Sequence, residues 1–357
     1  MKKKFLSLET YRAFAALMIA AIHFDLNSPL VNHQLASGHF VQFFFTLSGF
    51  VIYFNYKDKI KNFENIKYFI KKRFFRLYPL HIFFLILFLL IEITKFLAVN
   101  YYNIDVNSEI FVKNNYLSFF ANIFLLHTFL VDYTFNTPSW SISAEFYTYI
   151  LFAFLIIFNS RYKLSFLVIV IIYFFRINDE VNFGASHSAY RSFLDCIYGF
   201  YWGVIFCKLY IIFEKNKYYL KYKDGISLIL IFFTFFAIIN FIENQLFLLP
   251  MVFGCLIFFS CDLDEQSILG KFICNKFFVY LGSISYSIYM SHLFVFWILN
   301  NILKYIFNFK TFVDDDGFSK LDLNIFESSV LVLFCYFITI VFSHFSYKYI
   351  EKKYNKF

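Results

Sequence analysis

Apolar stretches of around 20 residues recur along almost the whole of this 357-residue chain, and that repetition limits its fold more than any other feature. A helical run of about 20 apolar residues matches the hydrocarbon thickness of a bilayer. There, only helices and closed barrels satisfy every backbone polar group. Because 60% of the residues are hydrophobic and only 16% charged, an ordinary soluble domain is excluded. The expected fold is all-α, a polytopic transmembrane helical bundle forming a single domain over 1–357, with no long polar segment left for a separate soluble domain.

Ten spans are expected, at 8–26, 38–55, 77–99, 141–159, 163–176, 190–211, 224–241, 245–261, 278–303 and 326–348. An eleventh apolar stretch, 116–131, is short, and crossing there would put Arg161 and the basic segment 214–223 outside. A re-entrant or buried half-helix segment resolves this, since irregular backbone is tolerated at membrane depth where protein covers it. The net charge of +8 matters through its distribution. Lysines and arginines crowd the opening MKKK, residues 57–76 and the closing KYIEKKYNKF, which places all three in the cytoplasm. The stretches 100–115 and 307–325, the latter with Asp314, Asp315 and Asp316, are left outside. Arg12 interrupts the first apolar run and no small-residue cleavage site follows, so that run is expected to remain as an anchor. Six scattered cysteines without a close pair predict neither a disulfide framework nor a zinc site.

Four clusters carry chemistry. Arg12 and His23 sit inside the first apolar helix, and ionisable groups in hydrocarbon are costly enough to be functional candidates. Eleven residues apart at about 100° each, they share a helix face about 16 Å along the axis. Ala16 and Ala20 lie between them, leaving either a slot for substrate or room for a close helix contact. A neutral imidazole there can accept a hydroxyl proton. The second cluster is KKRFFRLYP, where Lys72, Arg73 and Arg76 gather cations on one face. Arginine forks suit the phosphates of coenzyme A, although topology-setting charge and lipid headgroups explain the same residues.

The third cluster is NTPSWSISAEFYTY. Its Trp140 reads as an interface anchor, Ser141 and Ser143 as hydroxyls, and Glu145 as a buried carboxylate able to orient His23, or one that faces external water. The fourth is LGSISYSIYMSHLFVFW, in which Ser285, Tyr286, Ser287 and Tyr289 precede His292 on one span. Polar side chains of this kind also bridge helices, so both function and packing stand for His292. Ser48 and Gly49 lie mid-span in FFFTLSGFVIYF, where glycine permits close helix approach. His33, His39, His81 and His187 lie in or beside loops, where histidines are commonplace.

Together these segments resemble the acyltransferase 3 family of multi-pass membrane acyltransferases. YRAFAALMIAAIH is similar to the family's opening block, FFFTLSGF to its FFxxSGF segment, RFFRLYP to RxxRxxP, WSISAE to WSLxxE, GSISYSIYMSH to GxxSYxxYxxH, and YKYIEKK to its closing block. These six follow in order from residue 12 to 353. Ala13 and Gln42 depart from the usual Gly and acidic residue. The resemblance implies O-acyl transfer, in the simplest case acetyl, from cytoplasmic acyl-CoA (acetyl-CoA) to a hydroxyl of a cell-surface or lipid-linked carbohydrate.

It further implies His23 as general base, the arginine pair on the donor, and the inner or plasma membrane of a bacterial cell, with both termini cytoplasmic. Arg12 or a Ser or Tyr hydroxyl is expected to stabilise the oxyanion. Apart from acyl-CoA as co-substrate, no bound cofactor, metal or nucleic acid is expected. A proton-coupled transporter or flippase for lipid-linked sugars, or a non-catalytic scaffold, also fits a bundle with buried Arg and His.

Overall fold

The computed structural model describes residues 5–24, 26–30, 38–103, 106, 109–158, 163–178, 189–240, 247–313 and 319–354. Lys2 to Lys4, His33, Arg161, His187 and Asp314 to Asp316 lie outside the described residues. In chain order the helices are α1 (Leu6–His23), α2 (Phe40–Tyr56), α3 (Phe63–Tyr102), α4 (Tyr116–Ile123), α5 (His127–Leu130), α6 (Trp140–Leu155), α7 (Lys163–Asn178) and α8 (Ala189–Phe213). There follow α9 (Lys217–Asn240), α10 (Leu249–Ser260), α11 (Ile268–Ile273), α12 (Lys276–Ser283), α13 (Ser285–Asn301), α14 (Ile325–Ser346) and α15 (Lys352–Tyr354). Between α13 and α14 a small antiparallel hairpin pairs β1 (Thr311–Val313) with β2 (Ser319–Leu321), Phe312 opposite Lys320.

The bundle is helical as expected, but about ten crossings are not found among the described residues. Four helical stretches are long and apolar enough to cross a bilayer, namely Phe63–Tyr102, Arg191–Phe213, Lys221–Asn240 and Ile325–Tyr354. The α12–α13 pair, bent by 69°, raises this to five. These are the helices of a membrane protein. The remaining apolar runs are cut short or interrupted. α2 has 17 residues, α6 has 16 and α10 has 12; at 1.5 Å per residue, 12 residues reach only ~18 Å of a ~30 Å core. The 18-residue α1 carries Glu9 and Arg12 in its own span. The stretch 116–131 is divided into α4 and α5 by a turn in which Leu125 has φ 56°.

The expected cytoplasmic loop at 57–76 is also different. From Phe63 it is already α3, which continues for 40 residues with Pro79 inside it. Asn62 caps its start by accepting from the Asn65 amide at 3.0 Å. Such a helix is ~60 Å long, twice the hydrocarbon thickness, so its basic first third extends beyond the apolar part.

Close helix approach at small residues holds the centre. A Cβ on Gly49 of α2 would meet the Phe200 carbonyl of α8, and one on Gly203 of α8 would meet the Thr46 carbonyl of α2. The two backbones can pack this tightly only because both positions lack a side chain. On α1, Ala13 and Ala16 pack against Leu281, Ile284 and Ile288, while Ala20 and Ala21 pack with Leu331, Val332 and Cys335. The small residues between Arg12 and His23 therefore serve a close helix contact, one of the two expected alternatives.

Candidate active site

A cavity of about 240 Å³ opens where α1, α2, α3, α6 and α13 converge. Arg12, Ser48, Arg73, Arg76, Ser141, Glu145 and Tyr286, all expected site residues, line it. Tyr149 and Tyr289 join them. Three guanidinium groups and one carboxylate line this space; Glu9 and Glu351 neutralise Arg12 and Arg76, which leaves Arg73 and Glu145 as the lining charges without an ion pair among the described residues.

The three arginines are engaged differently. Arg12 is paired with Glu9 at 3.0 Å. Arg76 is paired with Glu351, which is 3% exposed and also accepts from Ser287 Oγ at 2.8 Å; the guanidinium lies 5.4 Å from the Tyr286 ring centroid. Arg73 donates from Nη2 to the Tyr56 hydroxyl at 3.3 Å and stands over the Tyr56 and Phe69 rings. Its buried Nε has no hydrogen-bond partner. Of the two arginines expected to hold phosphate, Arg73 thus keeps a donor in reserve. Lys72 does not line the cavity and rests over the Tyr68 ring at 5.7 Å.

On the facing wall, Ser48 Oγ and the Tyr149 hydroxyl are 2.7 Å apart, and Tyr149 donates to Glu145 Oε1 at 2.5 Å. With Tyr149 as donor to the carboxylate, Ser48 donates to Tyr149. The hydrogen-bond partner of Glu145 is therefore Tyr149, one turn along α6, and the expected pairing of Glu145 with His23 is not formed.

His23 pairs instead with His292. Its Nδ1 lies 3.1 Å from His292 Nε2 and 3.0 Å from the Ile19 carbonyl, with the two rings 4.9 Å apart. His292 is fully buried, and its own Nδ1 lies 3.3 Å from the Ile288 carbonyl. Carbonyls only accept, so both Nδ1 atoms carry hydrogens in the neutral pair, His292 Nε2 accepts from His23, and His23 Nε2 keeps its lone pair. Neither imidazole lines the arginine cavity or the second one described below. They stand beyond Tyr289, whose ring is 6.1 Å from that of His292. The Tyr289 hydroxyl donates to the Pro138 carbonyl at 2.7 Å and accepts from Ser141 at 2.7 Å, closing the cavity on that side.

Two expected residues serve packing or a different space. Ser143 is buried and donates to the Leu125 carbonyl at 2.5 Å, fixing the turn between α4 and α5. Trp140 lines a second cavity of about 420 Å³, together with Glu92 and Lys95 of α3 and Trp297 of α13. The two cavities follow one another along the same helices. On α3, Arg73 to Leu77 face the first and Phe88 to Lys95 the second; on α13, Tyr286 and Tyr289 come before His292, and Leu293 and Trp297 after it. Glu351, in the closing segment YKYIEKK, is not singled out by the sequence, because its partner Arg76 lies 275 residues away.

Long apolar helices enclosing a buried arginine-lined site define a helical membrane protein with internal polar chemistry. The acyltransferase domain family matches residues 5–347, so the chain belongs to that family. Among curated proteins, acyltransferase MdmB of Streptomyces mycarofaciens is 30% identical over 159 residues, which is 41% of this chain and 38% of that protein. The match thus spans well under two thirds of that relative's length. No solved structure matches the chain.

Proposed function

We propose that the protein transfers an acyl group, acetyl in the simplest case, from acyl-CoA to a hydroxyl of a cell-surface or lipid-linked carbohydrate. The observation that carries this reading is the order of groups along α13: Tyr286 and Tyr289 at the arginine-lined cavity, His292 paired with His23, then Leu293 and Trp297 at the second cavity. The donor's phosphates would be held at the arginine cavity, by Arg73 above all because, unlike Arg12 and Arg76, it has no carboxylate partner among the described residues. Arg12 supplies a further positive charge to the same space.

His23 Nε2 takes the proton from the acceptor hydroxyl as its oxygen attacks the thioester carbonyl. The C–S bond then breaks, and the departing thiolate takes that proton back from His23. His292 fixes the tautomer that exposes this nitrogen, the orienting role that a third group plays in triad-like sites. A Tyr289 or Ser141 hydroxyl would stabilise the oxyanion once its hydrogen turns away from its present acceptor; Arg12, about 16 Å from His23 along α1, is too distant for that role. In this reading the first cavity faces the cytoplasm together with both termini, and the second faces the outer side of a bacterial inner or plasma membrane.

Labelled acetyl-CoA supplied to purified protein in nanodiscs, with glycan extracted from cells lacking the protein, tests the reading. An ester-linked label on carbohydrate is expected. Label that stays on CoA or appears only as free acetate would overturn it.

A further inference from the structure

The 420 Å³ cavity has the size of a small-molecule site and, unlike the first cavity, no arginine in its lining. Its charged lining is balanced, with Glu92 and Asp132 against Lys95 and Lys113. Both cations are engaged. Lys95 Nζ is 2.6 Å from Glu92, and Lys113 Nζ stands 4.7 Å over the Tyr133 ring. Glu92 is buried and saturated, accepting also from Asn114 Nδ2 at 2.9 Å and the Phe111 amide at 3.3 Å. It therefore builds the wall by tying α3 to the segment before α4. An anion would find no spare positive charge in this cavity.

Two indoles, Trp140 and Trp297, supply flat apolar surface; Thr137 supplies a hydroxyl, while those of Thr128 and Thr134 donate to the Trp140 carbonyl and Asn122 Oδ1 and are left as acceptors. Asp132 is exposed at the rim and has no ion pair among the described residues. Flat apolar faces beside neutral donors and acceptors complement a ligand with C–H faces and a rim of hydroxyls. We infer that this cavity is the acceptor subsite and takes a neutral polyhydroxylated ring, with Trp297 as its apolar platform and Asp132 accepting hydroxyl hydrogens at its mouth. Trp297 lies five residues beyond His292 on α13, about 7.5 Å along the axis and about 140° around it, and Leu293 next to His292 also lines the cavity, so the cavity neighbours the imidazole pair without being lined by either ring.

This rests on the function proposed above, and the test separates the two. Cells producing wild-type protein, Trp297→Ala, Trp297→Phe or Asp132→Asn at equal levels are compared by mass spectrometry of their surface glycans, and each purified variant is titrated with acetyl-CoA. Trp297→Ala and Asp132→Asn are expected to lower the ester content at least tenfold with unchanged acetyl-CoA affinity, and Trp297→Phe to retain most of it. Wild-type ester content in both Trp297→Ala and Asp132→Asn would overturn the subsite while leaving the proposed function in place. If Trp297→Ala fails to fold, exposed Asp132→Asn decides alone. Absence of any ester with the wild type would overturn the function itself, and an acyl group found on protein or lipid phosphate in place of glycan would overturn the assigned ligand class.

Discussion

Glu351→Ala isolates the contact that ties the C-terminal segment to the arginine cavity. The wild-type carboxylate is 1% exposed at the side chain, pairs with Arg76, and accepts from Ser287 at 2.8 Å. Truncation removes both contacts and strands a guanidinium whose side chain is only 23% exposed. Breaking a buried pair costs about 3–5 kcal/mol. The partial exposure of Arg76 favours the lower end, so ~3 kcal/mol is expected, a large share of a stability of order 5–15 kcal/mol. Glu351→Gln keeps a hydrogen-bond acceptor for Ser287 and should cost less. Denaturation in mixed detergent micelles, run as a double-mutant cycle with Arg76→Leu, measures the coupling, and at least ~1 kcal/mol is expected. Wild-type stability for Glu351→Ala, or strict additivity in the cycle, would refute the reasoning.

Other outcomes follow from the same geometry. Arg73→Ala should weaken acetyl-CoA binding by about tenfold, the equivalent of ~1.4 kcal/mol, and more than Arg76→Ala does, because Arg76 is already committed to Glu351; isothermal titration distinguishes them. Lys72→Ala, outside the cavity, should leave that affinity within error. His292→Ala should lower the transfer rate about 10–100-fold with little change in the KM for acetyl-CoA, since it acts through His23, and steady-state kinetics reads the split. Gly203→Val should destabilise by at least ~1–3 kcal/mol by forcing α2 and α8 apart, measurable in the same micelle denaturation.

Much of the site was legible because ionisable and small residues stand out against an apolar background. Arg12, Arg73, Arg76, Ser48, Ser141, Glu145 and Tyr286 all reach one cavity, although the sequence places Glu145 on the side of His23 and gives no reason to group the seven. Partner choice was not legible. His23 and His292 are 269 residues apart, and Arg76 and Glu351 are 275 apart. No local spacing rule reports such contacts, and the sequence points instead to Glu145, the carboxylate that the expected topology puts on the same side as His23. Span boundaries were obscured for another reason. Hydropathy measures composition and not continuity, and the breaks at Leu125 and Ile284 use neither glycine nor proline. Apolar runs that look like single crossings are therefore shorter helices joined by sharp turns.

His23 carries the central claim, and His23→Ala tests it most directly. The variant and the wild type, each purified with acetyl-CoA binding confirmed, are supplied with labelled acetyl-CoA and the extracted glycan. The wild type should form the ester and the variant should lose it by 100-fold or more at unchanged acetyl-CoA affinity. Ester formation by His23→Ala at the wild-type rate would contradict the account.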